Sequence, residues 1–391
     1  MIYLDYNATT PLCDEARQAM EPFLVRHYGN PSSVHAAGRE ARAAVDDARD
    51  RLADLLGAKP HELVFTSTGT ESNNLAVLGL ARAHASRGRH LICASSEHHA
   101  VLNAFEHLAQ RESFDVTFLP VDRAGRIDPG QLDHAIRDET ILVSIMAANN
   151  ETGVLQPISE LADICGARGV LLHSDMVQSF GKIETDLSPS LAAASFAAHK
   201  FYGPKGAGLL YLRAGIPIEP VEFGGAHENQ RRPGTENVAA IVGMAAAAEF
   251  VLRDRAREQE REEILRDRLW RQIKGSFPQA IQNGDLPSRL ANTLNVSFPG
   301  LSSETVLMAL DLEGVCASSG SACMVGSVVA SHVLLAMGLS TELAGAAVRF
   351  SLGRETTELE IDRAAEIVGG IVHRIISARA RTRKELQGAA I

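Results

Sequence analysis

The chain is predicted to be an α/β protein: a large domain with a mostly parallel sheet flanked by helices, plus a smaller α+β domain. Three observations carry this. Short apolar strands alternate with amphipathic helices from residue 63 to residue 198, the pattern of a parallel sheet covered on both faces. A length of 391 residues exceeds one small core and points to two domains. From residue 292 onward the strands and helices are mixed differently, as in a separate α+β unit.

In chain order, residues 12–28 read as a short helix starting near Asp14, bent or interrupted by Pro22. Residues 35–56 form a stronger helix. Its Ala37, Ala41, Ala44, Val45, Ala48, Leu52 and Leu55 share one face, and Gly57 is placed to cap its end. Strands follow at 63–67, 90–95, 116–121, 141–148, 170–174 and 193–198, with helices at 70–86, 99–111, 128–137 and 159–168. Residues 206–213 form another strand, reached by a turn too short for a helical crossover, so it should pair antiparallel. Residues 237–276 are mostly helical, apolar at first and then charged through Arg271, the charged half being expected as a solvated bridge. Strand 292–298, helix 303–312, strand 314–317, helix 330–337, strand 347–352 and helix 358–379 complete the smaller unit. The expected division is 13–255 for the large domain, and 1–12 with 256–391 for the small one.

Composition excludes several classes. The hydrophobic share of 45% and charged share of 22% are ordinary for a globular chain. A net charge of −10 argues against a nucleic-acid surface, and no apolar run is long enough to span a bilayer. The opening Met-Ile-Tyr-Leu-Asp-Tyr lacks the basic and apolar regions of a signal peptide. The five cysteines, Cys13, Cys93, Cys165, Cys316 and Cys323, are odd in number and scattered, which disfavours a disulfide framework. The expectation is a soluble cytoplasmic protein with no metal site, no nucleic-acid partner and no membrane partner.

The residues of chemical interest fall where strands stop. Ser195 to Gly206 reads Ser-Phe-Ala-Ala-His-Lys-Phe-Tyr-Gly-Pro-Lys-Gly, placing Lys200 between a buried strand and a Gly-Pro turn. Burial lowers the pKa of a lysine and frees its amine as nucleophile and base, able to form an imine with an aldehyde cofactor, usually pyridoxal phosphate (PLP). The ordinary alternative is a surface lysine in a turn. Gly69 and Thr70, in Thr-Gly-Thr-Glu-Ser-Asn-Asn, open a helix and offer amides and a hydroxyl to an anion; the alternative is a plain threonine cap. Glu97-His98-His99 follows the second strand and offers an imidazole to stack on a planar ring. Asn149-Asn150 follow a third, and Asp175 with Gln178 a fourth, where the bland alternative is loop caps. A carboxylate in a cleft needs a cation, and a protonated pyridine nitrogen would serve Asp175.

These stretches resemble a cysteine desulfurase, a PLP enzyme of the class V aminotransferase superfamily with the aspartate aminotransferase-like fold. The likeness rests on Tyr-Leu-Asp-Tyr-Asn-Ala-Thr-Thr-Pro at 3–11, Gly-Asn-Pro-Ser-Ser at 29–33, Phe-Thr-Ser-Thr-Gly-Thr-Glu-Ser at 65–72 and Asn-Asn-Glu-Thr-Gly at 149–153. It continues with His-Ser-Asp-Met-Val-Gln at 173–178, the lysine motif at 198–206, Arg-Pro-Gly-Thr-Glu at 232–236, Ser-Gly-Ser-Ala-Cys at 319–323 and Arg-Phe-Ser-Leu-Gly-Arg at 349–354. The resemblance implies that Lys200 bonds to PLP, His98 stacks on its ring and serves as an acid–base group, and Asp175 pairs with its ring nitrogen. It places Gln178 and Asn150 near the phenolic oxygen or the ring substituents, and Thr70 and His199 on the phosphate together with Thr235 from the partner subunit of a homodimer. Asn30 and Arg349 would grip the carboxylate of L-cysteine, with Arg354 as a second candidate.

The resemblance further implies that Cys323 thiolate attacks the substrate sulfur, keeps a persulfide and releases alanine. The sulfur then passes to acceptor proteins, iron–sulfur scaffolds or thiolation enzymes. The glycine and serine neighbours of Cys323 suit an exposed, swinging loop, whereas Cys93, Cys165 and Cys316 are expected to be small buried hydrophobes. Two departures stand out. Ala197 occupies the place of a phosphate-binding serine, worth roughly 0.5–1.5 kcal/mol of cofactor binding. Ser-Val-Val-Ala-Ser-His at 327–332 lacks the glutamate and proline usual there. The short segment after the last helix would alter docking of a scaffold protein. A selenocysteine lyase, another class V PLP enzyme and a catalytically silent scaffold remain as alternatives.

Overall fold

The computed structural model describes residues 1–284, 287–320 and 330–388, with side chains described as far as residue 378. In chain order the first half contains β1 (Ile2–Tyr3), α1 (Asp14–Val25), α2 (Ala36–Leu56), β2 (Leu63–Thr66), α3 (Gly69–Ala83), β3 (His90–Ala94), α4 (His99–Arg111), β4 (Asp115–Leu119), α5 (Pro129–Ala135), β5 (Thr140–Ser144), α6 (Ile158–Ala167), β6 (Leu171–Asp175), β7 (Leu191–Ala197) and β8 (Gly208–Leu212). The second half contains α7 (Val238–Arg253), α8 (Arg255–Ser276), β9 (Ile281–Asn283), β10 (Thr293–Ser297), α9 (Ser303–Leu312), β11 (Val315–Cys316), α10 (His332–Ala336), α11 (Thr341–Ala344), β12 (Ala347–Ser351) and α12 (Glu358–Gly388).

Seven strands form the main sheet in the order β2-β8-β7-β6-β5-β3-β4. The ladders from β4 to β7 are parallel, as the alternation with helices requires. β8 runs antiparallel to both β7 and β2, the pairing expected from the short turn before it. Helices α3 and α4 bury Leu75, Leu80, Val101 and Phe105 against one face, and α2, α6 and α7 bury Val45, Leu52, Leu161 and Met244 against the other. Such two-sided cover explains why β5 and β7 carry buried residues at every position instead of alternating ones. A separate core joins Leu4 to Leu269, Val296, Leu310, Phe350 and Ile371, beneath the three-stranded antiparallel sheet β12-β10-β9.

Several expected boundaries move. The cap of α3 is Thr68, whose hydroxyl accepts from the Glu71 amide at 3.0 Å, so Thr70 lies inside the first turn and is not the cap. The segment 237–276 is two helices that break at Asp254. Its charged half is not merely solvated. Arg268 pairs with Asp362 of α12 at 2.7 Å, Arg261 donates to the carbonyls of Gly353 and Thr356, and Glu262 and Arg266 are buried. β1 and β9 are too short to show as periodic runs; each exists because a neighbouring strand supplies its hydrogen bonds. Cys316 is half-buried instead of buried, while Cys13, Cys93 and Cys165 are enclosed.

Candidate active site

The carboxyl ends of β3, β5, β6 and β7, with the start of α3, surround a cavity of about 380 Å³. Open α/β sheets expose their ligands at this edge. β7 delivers Lys200 through one tight turn, Ala198–Lys200, and its Nζ donates to the carbonyls of Asn7 and Ala8, each at 2.7 Å. Parallel pairing sets Asp175 of β6 opposite Ser195 of β7, which fixes the carboxylate relative to the lysine five residues on. Asn73 donates to Asp175 Oδ2 at 2.6 Å, and the Val177 amide to Oδ1 at 2.9 Å. The carboxylate is buried and hydrogen-bonded along one side, facing the cavity.

α3 begins at the same wall. Gly69 is required there, because a Cβ would lie 2.9 Å from Val177 Cγ2 and 3.2 Å from the Ala197 methyl. The first-turn amides of Gly69 and Thr70 lie at the positive end of a 15-residue helix, where anions are favoured. His199 adds an imidazole that burial, and then Lys200, Lys205 and Lys182, push down to about 4, so it is neutral near pH 7. Thr9 Oγ1 lies 3.2 Å from its Nδ1. His98 caps α4 by accepting from the Ala100 amide at 3.1 Å. Burial holds its imidazole below the ordinary value, opposed by Asp175 and reinforced by Lys200.

Gln178 donates from Nε2 to the Asn7 carbonyl at 2.8 Å and accepts from Lys182 at 2.9 Å. Arg349, at 2% exposure, reaches the cavity from β12 while Asp5 holds its NH2 nitrogen at 2.7 Å and the Asn150 carbonyl its NH1 nitrogen at 3.0 Å. Glu151, buried beside it, accepts from Ser331 and has its carboxyl pushed above the usual range by burial. Gly320 sits against that carboxyl with φ +85, and a Cβ would stand 2.7 Å from Oε2.

The structure thus brings Gly69, Thr70, His98, Asn150, Asp175, Gln178, His199, Lys200 and Arg349 to one cavity. Three candidates do not reach it within a single chain. Asn30 and Thr235 are exposed on neighbouring loops, joined where Ser32 Oγ meets His227 Nε2 at 3.1 Å. Arg354 faces a smaller adjoining cavity instead; it donates to the Val251 carbonyl and covers the Phe250 ring at 4.4 Å. Cys323 lies outside the described residues, as does the segment 327–329, but Gly320 before it and His332 after it both line the main cavity. Sequence reasoning missed Asn7, Asn73, Glu151 and Lys182. Asn7, Asn73 and Glu151 stand inside quoted stretches, so the signal was present as a polar residue in a run otherwise accounted for. Lys182, beyond Gln178 at helical spacing, gave no signal.

The family model Aminotransferase class-V matches residues 2–364 of this chain. Cysteine desulfurase IscS of Dictyoglomus turgidum is 45% identical over 375 residues, covering 96% of this chain and 95% of its own length. Cysteine desulfurase IscS of Escherichia coli O139:H28 is 46% identical over 380 residues, covering 96% and 93%. Among solved structures, a NifS-like protein superposes with a TM-score of 0.89 at 37% identity, covering 95% of this chain and 99% of that one. SspA in complex with cysteine superposes at 0.80 with 35% identity, covering 90% and 99%.

Proposed function

The chain belongs to the class-V aminotransferase family, and from that premise we propose how its own residues carry out the reaction. It is a PLP-dependent cysteine desulfurase: L-cysteine becomes L-alanine, and the sulfur passes on as a persulfide.

The residues present fit the cofactor. A phosphate suits the amides of Gly69 and Thr70 with neutral His199 beside them. A buried carboxylate held by two donors at Asp175 suits a protonated ring nitrogen. An amine from Lys200 suits the aldehyde. Bound there, PLP supplies an electrophilic carbon and an electron sink for negative charge developing at the substrate Cα.

Lys200 would hold PLP through its amine, and its Nζ, once free, would take the substrate's Cα proton. That free amine has two acceptors, the carbonyls of Asn7 and Ala8. His98, which lines the cavity, would pack against the ring of bound PLP and serve as an acid–base group. Gln178 and Asn150 orient the phenolic edge. Arg349 takes the substrate carboxylate by a charge-assisted pair, its guanidinium already aimed by Asp5.

Cys323 thiolate attacks the substrate sulfur. A sulfur–sulfur bond forms, the Cβ–sulfur bond breaks, and its electron pair takes a proton to become the alanine methyl. Three residues of extended chain reach about 10 Å, so a tether at Gly320 lets Cys323 enter the cavity. Asn30 and Thr235, which are exposed and do not line this chain's own cavity, serve that of a second copy in a homodimer, where Thr235 reaches the partner's phosphate. Acceptor proteins, an iron–sulfur scaffold or a thiolation enzyme, take the persulfide sulfur. Among the described residues no helix is long and apolar enough to cross a membrane. The four described cysteines are free thiols, which accords with a reducing cytoplasm.

The convergence of eight predicted residues around Lys200, with both flanks of Cys323 on the same cavity, carries this reading. Incubation with L-cysteine and a reductant tests it: sulfide and alanine should appear in equal amounts. Keto acid in place of alanine would make the protein an aminotransferase, and no product would make it a silent scaffold.

A further inference from the structure

Behind Lys200 lies a second amine that the reaction as described does not use. Lys182 Nζ donates to Gln178 twice, to Oε1 at 2.9 Å and to the backbone carbonyl at 3.1 Å. An ammonium has only donors, so the carbonyl end of the Gln178 amide must face Lys182. The NH2 end is thereby turned to the other side, where Nε2 donates to the Asn7 carbonyl at 2.8 Å. That carbonyl is one of the two that hold Lys200 Nζ. A continuous chain of contacts therefore runs from Lys182 through Gln178 and Asn7 to Lys200.

The surroundings of Lys182 make it more than a surface cation. It lines the smaller cavity next to Glu262, Glu258 and Arg255 of α8, with Arg354, Tyr6 and Tyr202 opposite. Lys200 and Arg349 face it from the cofactor side. Glu262 is buried, and no carboxylate hydrogen-bonds or pairs with Lys182 within 4 Å among the described contacts. Beyond Gln178, toward the cofactor, stand Asp175, His98 and His199.

We propose that Lys182 is a positioning residue: it locks the Gln178 amide with its NH2 toward the cofactor cavity and sets a second positive charge behind Lys200. This rests on the assignment of Lys200 and Gln178 to PLP. Burial, then the charge of Lys200, push Lys182 down to about 7, so its protonation changes near neutral pH. The lock is tightest while Lys182 keeps its third proton.

Two substitutions separate charge from orientation. Lys182→Gln removes the cation but keeps an amide donor for Gln178; Lys182→Met removes both. The readout is the pH midpoint of the visible absorbance of PLP-loaded protein, measured alongside cofactor content and thermal unfolding. A nearby cation disfavours a second positive charge, so its loss should move the midpoint upward in both variants, by about one pH unit. PLP should leave on dialysis faster from the Met variant than from the Gln variant. If Lys182→Met does not fold, the Lys182→Gln midpoint alone decides. Folded, PLP-replete Lys182→Gln protein with an unmoved midpoint overturns the proposal. Wild-type protein with no visible band would instead overturn the assignment of Lys200 itself.

Discussion

The strand-end wall of the cavity and the loop at 224–237 are fixed in opposite ways. Ladder register sets the first. Asp175 is opposite Ser195, and Lys200 follows a tight turn, so main-chain hydrogen bonds decide the distance between carboxylate and amine. Side chains hold the second. Glu228, Asn229 and Gln230 all sit at positive φ, +47, +55 and +65, where residues other than glycine are uncommon. Arg49 grips Glu228 with both terminal nitrogens, and the Phe65 amide donates to the same carboxylate at 3.0 Å. The residues proposed to anchor the cofactor are placed by the ladders of one sheet. The loop proposed to serve a second copy is held by side-chain ion pairs, Arg49 to Glu228, Arg42 to Glu236 and Arg232 to Glu71.

The sharpest tests separate the chemistry of the two walls. Lys200→Ala should abolish both the visible absorbance with PLP and sulfide release from L-cysteine. Cys323→Ala should abolish sulfide release while the absorbance stays; loss of the band in that variant would assign Cys323 a structural role. Next, Asp175→Asn removes the carboxylate charge at the cavity wall, and turnover should fall by about 10²–10³-fold, measured under saturating PLP. A drop under tenfold would mean that Asp175 only shapes the wall.

The loop wall breaks differently. Glu228→Gln leaves Arg49 facing a neutral partner at a site where Glu228 is 2% exposed in its side chain, and breaking such a pair costs about 3–5 kcal/mol. Urea unfolding measures it, and an unchanged midpoint would show that the strained turn stands without the pair.

Acid should loosen the sheet. His173, fully buried between Ser144 and Ser195, is pushed down to about 3 by burial, and His199 to about 4. The folded values lie below the ordinary 6.5, so the unfolded chain binds more protons. Stability from these sites is whole above pH 6.5 and falls as the pH drops toward 4 and then 3. Urea midpoints across that range should decline, and decline less steeply in His173→Asn. The smallest effect is expected from Ala197→Ser, whose new hydroxyl adds roughly 0.5–1.5 kcal/mol to cofactor binding and slows PLP loss on dialysis by up to about tenfold. An unchanged loss rate would mean that the Ala197 position does not reach the phosphate.

The strand-end wall was readable because each of its residues follows an apolar run and the sheet edge gathers such ends automatically. Lys200, Asp175, His98 and Thr70 needed no knowledge of distant contacts. Asn7 and Lys182 were not readable, since their roles come from a backbone carbonyl and from a lysine whose surroundings are supplied by α8, about eighty residues later. Asn30 and Thr235 were named from resemblance; both are exposed loop residues outside any apolar run, so periodicity could not find them. Helix α8 was misread as wholly solvated because charge density says nothing of ion pairs made to α12.

The most direct measurement is where PLP attaches. Protein loaded with PLP, reduced with borohydride and digested should carry the pyridoxyl mass on the peptide containing Lys200. A label on Lys182 or Lys205, or none at all, would contradict the account.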